Sequence, residues 1–413
     1  MSRLLALAAL ACFLLFGGRA LAQATDAAAS SPAAIEVSLL TVGPGEIYWQ
    51  RFGHNAIVIH DPARGQAVSY NYGMFDFEEA NFFVNFLRGR MTYQISAEDP
   101  VEEIAWYTGE GRSITRQDLR LSVAQASALQ AYLENNLLPE NRRYRYDYFT
   151  ANCSTRVRDA LDSVLGGALH RQMVSPSRGF SYRLLADALM TPQPWLMAVI
   201  DIGLGPYADQ RLSYWNDSFV PMQLMDHLRE MKVADEQGEL QPLVKSEQVI
   251  AKSRLPAAPA LPPDLRWPFL GIGLALGVLL LVLSTRRQSA AARGAFAVLA
   301  FTYSLLCGLI GLVLLGLWGF TEHQAAWRNE NLLIFSPLCL LMLGAWWRSA
   351  RPGMGMSRFS RVLAPAIAVI AAFALFSKIL ANFPQANLHW ILLILPGHLA
   401  LARAALERSD NPD

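Results

Sequence analysis

Beyond residue 256 the sequence is dominated by long apolar stretches, and no other feature narrows the fold as much. They run Trp267 to Ser284, Ala295 to Phe320, Leu332 to Trp347, Val362 to Leu380, and Leu388 to about Leu406. A helix needs about 20 apolar residues to cross bilayer hydrocarbon, where the backbone must satisfy its own hydrogen bonds. Most of these stretches approach or exceed that length; the third and fifth are short or interrupted by Pro337 and Pro396. The expectation is an all-α membrane domain of about five transmembrane helices over residues 267–406. The chain is 53% hydrophobic and only 17% charged, and this segment carries the excess.

Loop charge orients the spans. Arg286, Arg287 and Arg293 lie between the first two, and Arg348, Arg351, Arg358 and Arg361 between the third and fourth. Arg403 and Arg408 follow at the end of the fifth, whereas the alternate loops hold only Arg328 and, at a span end, Lys378. The Arg-rich loops read as cytoplasmic, with 407–413 a cytoplasmic tail. Residues 1–22 read as a signal peptide: Arg3, the apolar run Leu4 to Phe16, then Ala20-Leu21-Ala22 as a small-residue cleavage site. Both signals place residues 23–255 outside, which makes the chain a multi-pass protein of a bacterial inner membrane with a periplasmic domain. Pro256, Pro259, Pro262 and Pro263 stiffen a linker over 256–266. A net charge of +1 offers no field for nucleic acid, and none is expected as a partner.

In the exported domain, strands are expected over Glu36 to Val42, His54 to His60 and about Gln66 to Tyr72, with Gly43-Pro44-Gly45 and Asp61-Pro62 as turns. Helical patterning appears near Glu98 to Thr108, from Ser122 to Asn135, and most clearly from Cys153 to Leu165, before Gly166-Gly167. Of the four cysteines, Cys12 lies in the signal and Cys307 and Cys339 in apolar runs. Cys153 is therefore alone in the exported domain and has no internal disulfide partner.

Cys153 opens its helix behind Asn152. Unpaired N–H groups there favour thiolate over thiol. Arg156 and Arg158 oppose the helix dipole, a placement that suits a neighbouring thiolate or an anionic lipid head group. A nucleophilic thiol needs a base. Among His54, His60, His170 and His227, His54 is the first candidate because it opens a strand of small and branched residues; His60 is the second. Asn71 is the candidate third residue that orients the imidazole, with Asp76 and Ser69 as rivals. The Cys153 backbone N–H is the default oxyanion donor. Phe75, Phe77, Phe82, Phe83 and Phe86, with Tyr70, Tyr72 and Tyr93, form an aromatic cluster that reads as core before acyl-chain groove. No histidine pair has ligand spacing with a third ligand nearby, so no metal or other cofactor is expected.

Several motifs recur in a known order: Leu39 to Gly45, Arg51-Phe52-Gly53-His54-Asn55-Ala56-Ile57, Tyr70 to Phe77, Pro139-Glu140-Asn141-Arg142, and Tyr144 to Asp159 around Asn152-Cys153. Over roughly residues 36–230 the chain resembles the periplasmic domain of the Bacteroides-type lipoprotein N-acyltransferases, and its five-span half looks like theirs. Val42 departs from the pattern, standing where some relatives are expected to have cysteine. The resemblance implies an α+β permuted papain-like (NlpC-type) fold in which His54 precedes Cys153. It also implies acyl transfer from a phospholipid donor, through a Cys153 thioester, to the amino group of a lipoprotein acceptor. In the outer loop Thr321 to Asn331, His323, Asn329 and Asn331 resemble family residues and are candidate substrate-binding groups alongside Arg156. The rival readings are a cysteine hydrolase of the same fold, either a phospholipase or a cell-wall amidase, and a non-enzymatic envelope protein.

Overall fold

The structure, a computed structural model, describes residues 34–75, 81–235 and 237–407. The signal peptide, Asp76, Phe77 and most of the expected cytoplasmic tail lie outside the described residues.

The exported part begins with three strands, β1 (Glu36–Val42), β2 (His54–Asp61) and β3 (Gln66–Met74). A short helix α1 (Phe82–Leu87), β4 (Thr92–Glu98), α2 (Pro100–Gly109), β5 (Ile114–Leu119), α3 (Val123–Leu137) and β6 (Arg143–Arg145) follow. Next come α4 (Cys153–Val164), α5 (Ala168–Met173), α6 (Tyr182–Met190), α7 (Pro194–Gly203), α8 (Tyr214–Asp217) and α9 (Pro221–Glu230). The hairpin β7 (Lys232–Ala234) and β8 (Leu240–Pro242) and the strand β9 (Val244–Ala251) complete the domain. The expected strands and helices are present with ends shifted by a few residues at most. Ser122 and Asn152 act as N-caps, each in a reciprocal capping box.

A seven-stranded sheet runs in the order β6-β4-β3-β2-β1-β5-β9, antiparallel throughout. Strand alternation gives it two working faces. On one, Leu39, Ile57, Ile59, Tyr70 and Tyr72 meet Leu129 and Leu133 of α3 and Val157 and Leu161 of α4. On the other, Leu40, Ala56 and Ile114 pack beneath Ile104 and Tyr107 of α2.

Residues beyond the linker form a helical bundle: α10 (Arg266–Thr285), α11 (Ala290–Phe320), α12 (Leu343–Arg348), α13 (Arg358–Phe376) and α14 (Leu388–Leu406). Among the described residues four helices are long and apolar enough to cross a membrane, α13 being counted with the 3-10 turn that extends it to Ile379. The expected third span is instead a bent pair, Gln324–Leu333 and Pro337–Arg348, meeting at 44°. Pro337 lacks the N–H a continuous helix requires, and the chain answers with 3-10 turns on either side. Pro396, expected to interrupt the fifth stretch, lies inside a continuous α14.

The two parts meet through a buried polar seam. Arg183 of α6 donates to Asp201 at 2.5 Å and to both oxygens of Asp209 at 2.9–3.1 Å. Asp201 in turn accepts from His389 Nε2 at 2.6 Å and Trp390 Nε1 at 2.7 Å on α14. One buried carboxylate thus couples an exported helix to a membrane helix.

Candidate active site

The ladder between β2 and β3 ends at the pair Ala56–Asn71. His54 lies two residues before Ala56, so alternation puts His54, Ala56 and Asn71 on one face. There His54 Nε2 and Asn71 Oδ1 are 2.7 Å apart. An amide oxygen only accepts, so Nε2 carries the proton and Nδ1 is left for another partner. Cys153, the first residue of α4, stands beside the His54 ring, and each group shifts the other through charge and hydrogen bonding.

Local sequence explains how a helix on the opposite face reaches this point. β3 carries an irregularity between Tyr72 and Met74, and Gly73 between them has φ +95. A side chain at Gly73 would begin 3.4 Å from the Cys153 Cβ. Glycine therefore supplies the left-handed backbone, and a Cβ there would lie in ordinary contact with the start of α4. Asn152 fixes the helix start by accepting from Thr155 N at 2.9 Å and donating to Phe219 O at 2.8 Å. Ser154 Oγ is 2.8 Å from Asn55 Oδ1, which pins the first turn to β2.

The electrostatics favour an ion pair. Burial alone would raise the Cys153 thiol. The charge of His54, its hydrogen bond, and the backbone N–H groups of Asn55 and Ser154 outweigh burial and hold the thiol below its ordinary value. Burial likewise disfavours the His54 imidazolium, but the Cys153 thiolate and then Asn71 raise it above its ordinary value, with Arg112 opposing. The arrangement can generate a nucleophilic thiolate beside a proton donor, with the Cys153 N–H at the helix start available to an oxyanion.

Other groups here had no sequence signal. Tyr107 of α2 lies beside the imidazole, ring centroids 6.2 Å apart, and Arg112 stacks over Tyr107 at 4.7 Å. Glu103, also on α2, is buried close to Ser69 and Asn71; burial raises its carboxyl above the ordinary value, with those two side chains opposing, and Asn71 Nδ2 lies 3.4 Å from Ser69 Oγ. Ser69 thus stands behind Asn71 rather than against the imidazole.

The remaining sequence candidates fall elsewhere. His60 pairs with Glu36 at 3.2 Å on an exposed edge, and His170 packs edge-on against Trp215. His227 is buried against Asp217 at 2.5 Å. Arg156 stacks over the Tyr144 ring at 4.3 Å, near the thiol, whereas Arg158 turns away to stack on Trp215 and bond Asp159. Asn329 and Asn331 are not open to a head group. Both are buried in the seam, where their amides donate to the carbonyls of Ile202, Gly203 and Leu204 at the end of α7. His323 stays near the surface, its Nε2 3.0 Å from Phe86 O. The aromatic cluster divides: Tyr70 and Tyr72 are buried in the core, whereas Phe83 and Phe86 are exposed.

Comparison with family models matches residues 22–188 to the Lnb N-terminal periplasmic domain and residues 267–404 to the Lnb transmembrane domain. Comparison with curated proteins and with solved structures finds no match. His54, Asn71 and Cys153 all lie within the first matched segment. The molecule is a multi-pass membrane protein with a periplasmic α/β domain.

Proposed function

The chain belongs to the Lnb family, whose two domain models together span most of it, and on that premise we propose that it is a thiol acyltransferase acting on lipoproteins in a bacterial inner membrane. The observation that carries the proposal is the Cys153–His54–Asn71 arrangement on a domain anchored by membrane helices. The order of a histidine strand, an asparagine strand and a cysteine helix packed on one antiparallel sheet supports the permuted papain-like reading.

The chemistry runs in two steps. The Cys153 thiolate attacks the ester carbonyl carbon of a phospholipid; the ester C–O bond breaks, and His54 gives its proton to the departing lysophospholipid oxygen. The α-amino group of a lipoprotein's N-terminal cysteine then attacks the thioester carbonyl. His54 takes the amine proton, the C–S bond breaks, and the thiolate–imidazolium pair is restored. Each step passes through an oxyanion within reach of the Cys153 N–H. Ester and thioester are close in energy, so no nucleotide is consumed. The membrane anchor raises the effective concentration of both substrates.

The test is mass spectrometry of a reporter lipoprotein from cells with and without the protein, in a strain lacking any other N-acyltransferase. N-terminal acylation is expected to depend on the protein and to disappear with Cys153→Ala. Acylation that survives the substitution refutes the proposal, and release of free fatty acid without acceptor dependence assigns the site to a hydrolase.

A further inference from the structure

Helix α1 is apolar on nearly every side, yet the protein covers little of it. Phe83 is 70% and Leu87 67% exposed, with Val84 and Phe86 also exposed. A patch like this marks a binding surface when something on the molecule says what covers it. Here the neighbours do. The chain just after α1 is tied to the outer end of α11: Glu322 N donates to Arg88 O at 2.8 Å, and the Glu322 carboxylate pairs with Arg90 at 2.7 Å and Arg145 at 2.6 Å. Phe320, the last residue of α11, is 86% exposed. The helix from Arg293 to Phe320 spans about 40 Å, about the thickness of a bilayer with its head groups. With Arg293 at the cytoplasmic surface, Phe320 and α1 stand together at the outer one.

Charge agrees. A cleft of about 460 Å³ opens between Arg88, Arg90, Phe320 and Thr321. Arg88 and Arg90 line it against one carboxylate, Glu322, which Arg145 also neutralises from outside, so the cleft is cationic and suits a phosphate. Behind α1 the rings continue inward in contact, Phe82 to Phe75 at 6.1 Å, Phe75 to Tyr93 at 5.3 Å and Tyr93 to Tyr146 at 3.9 Å. Tyr146 lies close enough to the Cys153 thiolate for burial and that charge together to raise its hydroxyl well above the ordinary value.

We propose that α1 lies in the outer leaflet as an interfacial foot, that the Arg88–Arg90 cleft holds a phospholipid phosphate, and that the aromatic run guides the acyl ester to Cys153. The last part rests on the acyl-transfer reading; the membrane contact does not. A short apolar helix followed by arginines binds by buried apolar area plus attraction to anionic lipid.

The full chain is reconstituted in vesicles of equal parts phosphatidylethanolamine and phosphatidylglycerol. The phosphatidylglycerol carries a diazirine near its acyl carbonyl, and adducts are mapped by mass spectrometry after illumination. Residues 82–90 are expected to carry at least about tenfold more adduct than the start of α3, whose Val123 is 62% exposed on the exported domain. Phe83→Asp with Leu87→Asp, and separately Arg88→Glu, remove most of the α1 adducts and leave those on α10, which report correct insertion. Equal labelling of α1 and α3, or α1 joined to a second copy of the chain with no lipid adduct, overturns the proposal. Adduct formation needs no thiol. Labelling of α1 in a chain that never acylates Cys153 refutes the acyl-transfer reading alone.

Discussion

Replacing Asn71 by alanine isolates the group that holds the imidazole. Asn71 is buried and accepts from His54 Nε2 at 2.7 Å. Once His54 is charged, this is a charge-assisted bond, worth about 1.5–3 kcal/mol. The neutral imidazole donates the same bond at about 0.5–1.5 kcal/mol, so its loss disfavours the thiolate–imidazolium pair relative to neutral thiol and imidazole by the difference, about 1–1.5 kcal/mol. At about 1.4 kcal/mol per factor of ten, the ion-pair population falls roughly five- to tenfold where it is not already in large excess. The sign follows from the two directions. His54 is held above its ordinary value and Cys153 below its own, so a reactive plateau lies between them. Asn71→Ala lowers His54 and raises Cys153, which narrows the plateau from both sides. The assay is the rate of Cys153 alkylation by iodoacetamide against pH, with Cys307 and Cys339 replaced. Wild-type reactivity is expected to persist below the pH where an ordinary thiol loses it, and the variant to slow by about fivefold to tenfold near neutral pH. Asn71→Ala with an unchanged profile and unchanged thermal stability would refute the reasoning.

Three further outcomes follow from the geometry. Asp201→Ala leaves the buried Arg183 with Asp209 as its remaining carboxylate partner and removes the acceptor for His389 and Trp390, at a cost of about 1–3 kcal/mol; thermal unfolding in nanodiscs reads it, and an unchanged midpoint contradicts the seam. Asn331→Ala leaves the Ile202 carbonyl and the Asn387 amide without this partner. It is expected to lose about 1–3 kcal/mol of stability while Cys153 alkylation keeps its rate; slower acylation at unchanged stability would return Asn331 to head-group binding. Gly73→Val places a branched side chain in left-handed backbone against Cys153. About 1–2 kcal/mol of backbone strain is expected, together with loss of alkylation at Cys153; a fully reactive, equally stable variant would remove Gly73 from the site.

What could be read in advance was what local chemistry dictates. The Asn152 cap announced the Cys153 helix, and alternation from His54 onward announced its strand. Asn71 was reachable as a candidate only, because alternation carries no register; the Ala56–Asn71 pairing decided its face and left Ser69 behind it. Tyr107, Arg112 and Glu103 arrive from a helix packed over the sheet, and no spacing in the sequence announces that contact. Asn329 and Asn331 misled for the opposite reason. Polar residues beside a membrane read as exposed, but these pair with the carbonyls that end α7, forty positions or more from any motif used to read them as ligands. The aromatic cluster divides because five apolar residues among six imply a core only where protein covers them: Tyr70 and Tyr72 are covered, whereas Phe83, Val84, Phe86 and Leu87 of α1 are exposed.

The account stands on Cys153 as the acyl carrier. The direct measurement incubates the purified full-length protein with phospholipid bearing a labelled acyl chain, then digests it and locates the label. The expected result is label on the Cys153 peptide, released by neutral hydroxylamine and absent from His54→Ala. Label that never appears on Cys153, in a protein whose thiol still alkylates, would contradict the account.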